Sequence, residues 1–108
     1  MSQHCFSTQY RTRTVTVILG WDRPLGHYFM VIEGADEPEN GSDGIVYSNL
    51  DEAAAFGLDL AHFRDKLADL GVQVPAAIFE EIARDRRDHV GNRCVWYRPD
   101  GSFADTPA

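Results

Sequence analysis

Two β-prone runs joined by a proline–glycine turn constrain this chain more than any other feature. Thr12 to Trp21 is rich in β-branched residues, and Val15, Val17, Leu19 and Trp21 fall on one face at period two. A strand of that pattern buries one side. Proline presets φ at the second position of a turn and glycine is favoured at the fourth, so Arg23-Pro24-Leu25-Gly26 reads as a tight turn. His27 to Glu33 then returns as a second strand, and the two make an antiparallel hairpin. Because His27 to Ile32 is apolar on both faces, the second strand is expected inside a sheet.

The rest of the chain falls into place around that hairpin. Residues 34–44 are Gly, Asp, Glu, Pro, Asn and Ser without a large apolar side chain, apart from Ala35, and read as a loop. Ile45 to Ser48 is a short third strand, near enough to pair with the second. Asn49 or Asp51 can cap a helical region, with one turn over Ala53 to Phe56 before Gly57 interrupts it. Leu60, Phe63, Leu67 and Leu70 repeat at helical spacing from about Leu58, and Gly71 is the expected stop. Pro75 suits the first turn of a second helix through about Asp88, with Ile78, Phe79, Ile82 and Ala83 on its apolar face and Glu80–Arg84 as a solvated pair. Arg93 to Arg98 is a last strand, ended by Pro99-Asp100-Gly101. Residues 1–11 and 101–108 read as flexible tails on a single domain spanning 1–108.

The order β-β-β-α-α-β predicts an α+β fold: an antiparallel three- to four-stranded sheet with two helices packed on one face. At 108 residues, 44% of them hydrophobic, the chain can build one core without disulfide or metal staples.

Charge narrows the function classes. The net charge of −7 argues against a general nucleic-acid or anionic-membrane binder, since both need excess positive charge. The charge is also segregated. From Glu33 to Glu81, twelve acidic side chains face only Arg64 and Lys66, whereas Arg84 to Arg98 holds five arginines against Asp85 and Asp88. The acidic stretch reads as a solvated surface, or as a surface that binds a basic partner protein or mimics nucleic acid. The N-terminal residues lack a signal-peptide pattern, and the longest apolar runs, Val15 to Leu19 and Tyr28 to Ile32, are too short to span a bilayer. A soluble, cytoplasmic protein is expected, with Cys5 and Cys94 reduced.

No phosphate-binding glycine loop and no Gly-x-Ser-x-Gly elbow is present. His4, Cys5, His27, His62, His89 and Cys94 show no metal-ligand spacing, so neither a metal nor a cofactor is expected. Cys94 with His89 or His27 is the one combination with nucleophilic chemistry, and Cys94 equally suits a small hydrophobe in a strand. Two clusters are candidate binding residues. Trp21, Asp22, Arg23, His27 and Tyr28 bracket the hairpin turn with the composition of an interaction hot spot; the alternative is that the aromatics cap the core while Asp22 and Arg23 are ordinary turn residues. Arg86, Arg87, Asn92 and Arg93 form the second cluster.

Gly20-Trp21-Asp22-Arg23 ahead of an aromatic strand, Tyr47-Ser48-Asn49-Leu50-Asp51, Gly71-Val72-Gln73-Val74-Pro75 and Gly91-Asn92-Arg93 resemble segments of small proteins encoded on bacterial plasmids and integrated conjugative elements. The resemblance spans about Thr14 to Arg98. It implies a bacterial, mobile-element setting and supplies neither catalytic residues nor a cofactor.

The expected function is therefore that of a non-enzymatic cytoplasmic accessory protein binding another protein, a second copy of the chain included. Two alternatives are a nucleic-acid or nucleotide contact through the arginines of 84–98, and an enzyme dependent on Cys94.

Overall fold

The computed structural model describes residues 2–10, 13–22, 26–34, 45–49 and 58–104. The elements are β1 (Ser2–Tyr10), β2 (Arg13–Asp22), β3 (His27–Gly34), β4 (Ile45–Ser48), α1 (Leu60–Leu70), α2 (Ala77–Arg87), β5 (Arg93–Tyr97) and β6 (Phe103–Ala104). Among the described residues the six strands form one sheet in the order β4-β3-β2-β1-β5-β6. All neighbours are antiparallel except β1 and β5, which run parallel. The fold is α+β, with a mixed sheet.

The β2–β3 hairpin forms as the alternation requires. Val15, Val17, Leu19 and Trp21 are all buried, and they pair through the register with Gly34, Ile32, Met30 and Tyr28. Gly26 takes a left-handed φ of 68°, and its N–H donates to the Asp22 carbonyl at 2.8 Å. That conformation favours glycine because a Cβ would crowd the backbone. Arg23, Pro24 and Leu25 lie outside the described residues. β3 is hydrogen-bonded on both sides, to β2 and β4, which suits a strand apolar on both faces.

Both helices cover the same sheet face, since Phe63 and Leu67 of α1 and Ile78, Phe79 and Ile82 of α2 share one core with the inward residues of β2 and β3. Asp59 caps α1, its carboxylate accepting from the His62 N–H at 2.9 Å. At the other end Gly71, at φ 72°, and Val72 donate back to Ala68 and Leu67, which closes the helix. The helical turn read over Ala53 to Phe56 lies outside the described residues.

Four expectations are corrected. Ser2–Tyr10 is no tail: it is β1, paired with β2 over nine residues and with β5 over four, so it lies inside the sheet. The sheet accordingly has six strands and includes a parallel pair. Residues 103–104, assigned to a C-terminal tail, form β6, reached through a turn in which Gly101 sits at φ 89°. On α2, Ala83 is exposed, and Arg84 meets Glu81 rather than Glu80, at 3.7 Å. The apolar stripe at 78, 82 and 85 continues instead into Asp85, which is completely buried. No helix among the described residues is long and apolar enough to cross a membrane.

Candidate functional site

One rung of the sheet carries most of the polar chemistry. The register aligns Arg93 of β5, Ser2 of β1, Trp21 of β2 and Tyr28 of β3, all on the face that α2 covers. α2 packs on β1 and β2. Its last turn is held by the hydrogen bonds Val90 N–H to Asp85 O, 2.9 Å, and His89 N–H to Arg86 O, 3.3 Å, with His89 left-handed at φ 51°. Asp85 and Arg86 are therefore fixed side by side above the rung, Asp85 over its β1–β5 half and Arg86 over its β2–β3 half.

The first half is a buried polar relay. His4 Nε2 lies 2.5 Å from Asp85 Oδ2 and His4 Nδ1 lies 2.6 Å from the Tyr97 hydroxyl. Arg93 donates to Asp85 Oδ1 at 2.6 Å and to Glu81 at 3.3 Å. The directions are determined by chemistry. Burial pushes the His4 pKa below its ordinary 6.5, against the opposing pull of Asp85. The ring is thus neutral near pH 7, its Nε2–H donating to the carboxylate and its Nδ1 accepting from Tyr97. Asp85 is held below its usual range: burial opposes this, but hydrogen bonds from His4, Arg93 and Ser2 outweigh it. Tyr97 is pushed up, chiefly by burial. The charged pair is then Asp85⁻ with Arg93⁺, and His4 is a neutral bridge.

A histidine between a carboxylate and a hydroxyl is also the geometry of general-base activation. Here His4 and Asp85 have no exposed surface and Tyr97 is 2% exposed. The hydroxyl is thus enclosed with its two partners in the core.

The second half reaches solvent at Arg86, whereas Trp21 and Tyr28 beneath it are buried, at 6% and 8% exposure. The Arg86 guanidinium lies over the Trp21 ring at 5.5 Å and the Tyr28 ring at 5.4 Å, and donates to the Tyr28 hydroxyl at 3.2 Å. The two rings are 5.3 Å apart and tilted by 59°. Together with Gly26, His27, Leu58 and Asp59 these three residues line a cleft of about 200 Å³. The indole N–H of Trp21 is covered and has no hydrogen-bond acceptor among the described residues. The two halves communicate through Ser2: its hydroxyl accepts from the Trp21 backbone N–H at 3.2 Å and also hydrogen-bonds Asp85.

The structure thus joins parts of two clusters that lie more than fifty residues apart in sequence. Trp21, His27 and Tyr28 meet Arg86. Asp22 sits on the rung opposite His27 and is buried. Arg23 lies outside the described residues. The other candidates go elsewhere. Arg93 turns into the relay, Arg87 is exposed and pairs with its neighbour Asp88 at 3.3 Å, and Asn92 is exposed beside Gln3, Arg93 and Cys94. Cys94 is exposed on the sheet face away from the helices, where its thiol meets that of Cys5, which burial raises to about 12. His27, one of the two bases considered for Cys94, begins β3, with β2 and β1 between it and β5.

His4, Asp85, Tyr97, Leu58 and Asp59 were not among the expected site residues. Asp85 did carry a signal, because it falls three residues after Ile82 and seven after Ile78, on the buried stripe. A larger groove of about 550 Å³ runs along α1 and the connector after it, with Arg64 stacked 4.5 Å from the Phe79 ring. Its polar side chains are Arg64 and Gln73, fewer than converge at Arg86 with His27, Tyr28 and Asp59. Among the described residues no three His, Cys, Asp or Glu side chains are grouped to hold a metal ion. No protein-family model matches the chain, and neither a curated protein nor a solved structure matches it.

Proposed function

We propose that this chain is a non-enzymatic accessory protein of the bacterial cytoplasm that binds another protein through the cleft at Trp21, Tyr28 and Arg86. The observation that carries this reading is the exposed Arg86 lying over the two aromatic rings of the cleft. Tryptophan, tyrosine and arginine are the side chains that contribute most at protein interfaces, because each offers a large flat surface and a polar group together. The stacking also lowers the entropy lost on binding, since the arginine is already held.

The relay supports the non-enzymatic part: His4, Asp85 and Tyr97, the groups arranged like a general base, are sealed from solvent. Nucleic-acid contact through the arginines of 84–98 is less well supported. Arg84, Arg87 and Arg93 each face a carboxylate, and Arg98 donates to the Phe103 carbonyl at 2.9 Å. Phosphate binding would have to compete with those acids.

The test begins with sedimentation velocity of the purified protein, for self-association, and affinity capture from bacterial cytosol. A captured protein is then purified and its affinity measured with wild type and with Arg86→Ala. The expected result is a complex, with itself or with the captured protein, that weakens at least tenfold in the variant. No complex at micromolar concentration, or one indifferent to Arg86, would overturn the reading.

A further inference from the structure

We infer that the Trp21–Tyr28–Arg86 cleft receives a carboxylate side chain of a partner polypeptide. The inference deepens the protein-binding reading and rests on it. It begins from an imbalance. This is an acidic protein, with 17 Asp and Glu against 10 Lys and Arg. Arg84, Arg87 and Arg93, which surround Arg86 on α2 and the strand after it, each have an acid within 4 Å. Among the described residues Arg86 has none: its hydrogen bond goes to a neutral tyrosine hydroxyl, and its guanidinium lies over two aromatic rings.

That arrangement leaves donors and charge without an acceptor. A guanidinium has five N–H groups in a rigid fork, matched in shape to a carboxylate. Tyr28 uses one of them. Contact with Trp21 and Tyr28 restrains the guanidinium without neutralising it. Trp21 beside it is 6% exposed, so its indole reports a change in the cleft while the ring stays in the core. A carboxylate has two acceptor oxygens, so one group can meet two of the remaining N–H donors of the fork.

The rest of the cleft argues for a side chain on a polypeptide over a free anion. Leu58, Trp21 and Tyr28 are among the residues lining the cleft, and this apolar wall suits the methylenes of glutamate. Asp59 is committed to capping α1, and its charge at the rim disfavours a multiply charged phosphate more than a single carboxylate.

The experiment is a titration of ¹⁵N-labelled full-length protein, read at the indole N–H resonance of Trp21. A Trp96→Phe variant assigns that resonance, since the chain has two tryptophans. Three capped pentapeptides serve as probes: Leu-Glu-Leu-Glu-Leu, its glutamine isostere and its lysine counterpart. The expected result is that the glutamate peptide shifts the Trp21 indole resonance and binds at least tenfold more tightly than the glutamine peptide. Arg86→Ala abolishes the shift, and Arg86→Lys, which keeps the charge but not the fork, restores only part of it. Equal binding of the glutamate and glutamine peptides would overturn the carboxylate assignment while leaving protein binding at the cleft standing. An unmoved indole resonance with the glutamate peptide would also overturn it. Failure of the protein-binding reading itself is seen separately, as the absence of any complex in sedimentation and capture.

Discussion

Asp85 and Arg86 are consecutive residues on one helix turn, yet they behave as parts of two different machines. Asp85 is fully buried and pairs with two basic partners, His4 and Arg93. Arg86 is exposed and meets rings and a hydroxyl. The difference teaches how a small domain separates stability from recognition. A buried ion pair is costly to break, because the partner left behind is a charge out of water. An exposed arginine on aromatic rings contributes little to folding, yet it is a charge available to a partner. Ser2 couples the two, since it touches both Asp85 and the Trp21 backbone.

The sharpest break in this comparison comes from Asp85→Ala. It leaves His4 and Arg93 facing each other without the carboxylate, and the expected loss is about 3–5 kcal/mol in urea denaturation. Asp85 lies on α2, His4 on β1 and Arg93 on β5, so the loss should appear as separation of β1 and β5 in hydrogen exchange.

Acid should find the same region. The His4 and Asp85 pKa values are both depressed on folding, from 6.5 and 3.8. The unfolded chain then takes up each proton before the folded one does. The stability from each group is complete above its unfolded value and is lost as pH falls toward the folded value. Stability should decline with acid in two windows, below about 6.5 for His4 and below about 3.8 for Asp85. Each slope is bounded by about 1.4 kcal/mol per pH unit for a single proton. Measured as the urea midpoint against pH, the upper window should vanish in His4→Asn. A wild-type midpoint that rises on going from pH 7 to pH 5 would contradict the neutral-histidine assignment.

A smaller change, Tyr97→Phe, removes only the hydroxyl that donates to His4 Nδ1. About 0.5–1.5 kcal/mol is expected, with an unaltered sheet by circular dichroism. A double-mutant cycle with His4→Asn should show the two effects to be non-additive, since they share one hydrogen bond.

How legible this was from sequence differs between the two regions. The hairpin was readable because both signals agree there: Val15, Val17, Leu19 and Trp21 alternate, and Pro24 with Gly26 mark the turn. α1 and α2 were readable from the spacing of Leu60, Phe63 and Leu67, and of Ile78 and Ile82. β1 was not, because its inward positions include Ser2 and His4. A strand whose buried residues are polar lacks the alternation by which strands are recognised. Those residues are polar because they satisfy Asp85, which lies more than eighty residues away, and nothing local announces that contact. The parallel β1–β5 pairing is hidden for the same reason. The cleft was half legible. Its aromatic side stood out at the hairpin end, and Arg86 stood out in an arginine-rich segment, but their meeting depends on where α2 crosses the sheet.

The division between the two residues is tested most directly by urea denaturation of Asp85→Ala and Arg86→Ala side by side with wild type. The account predicts a large drop in midpoint for Asp85→Ala and a midpoint indistinguishable from wild type for Arg86→Ala. Comparable losses in the two variants would contradict it, because Arg86 would then be one more structural arginine and the cleft part of the packing.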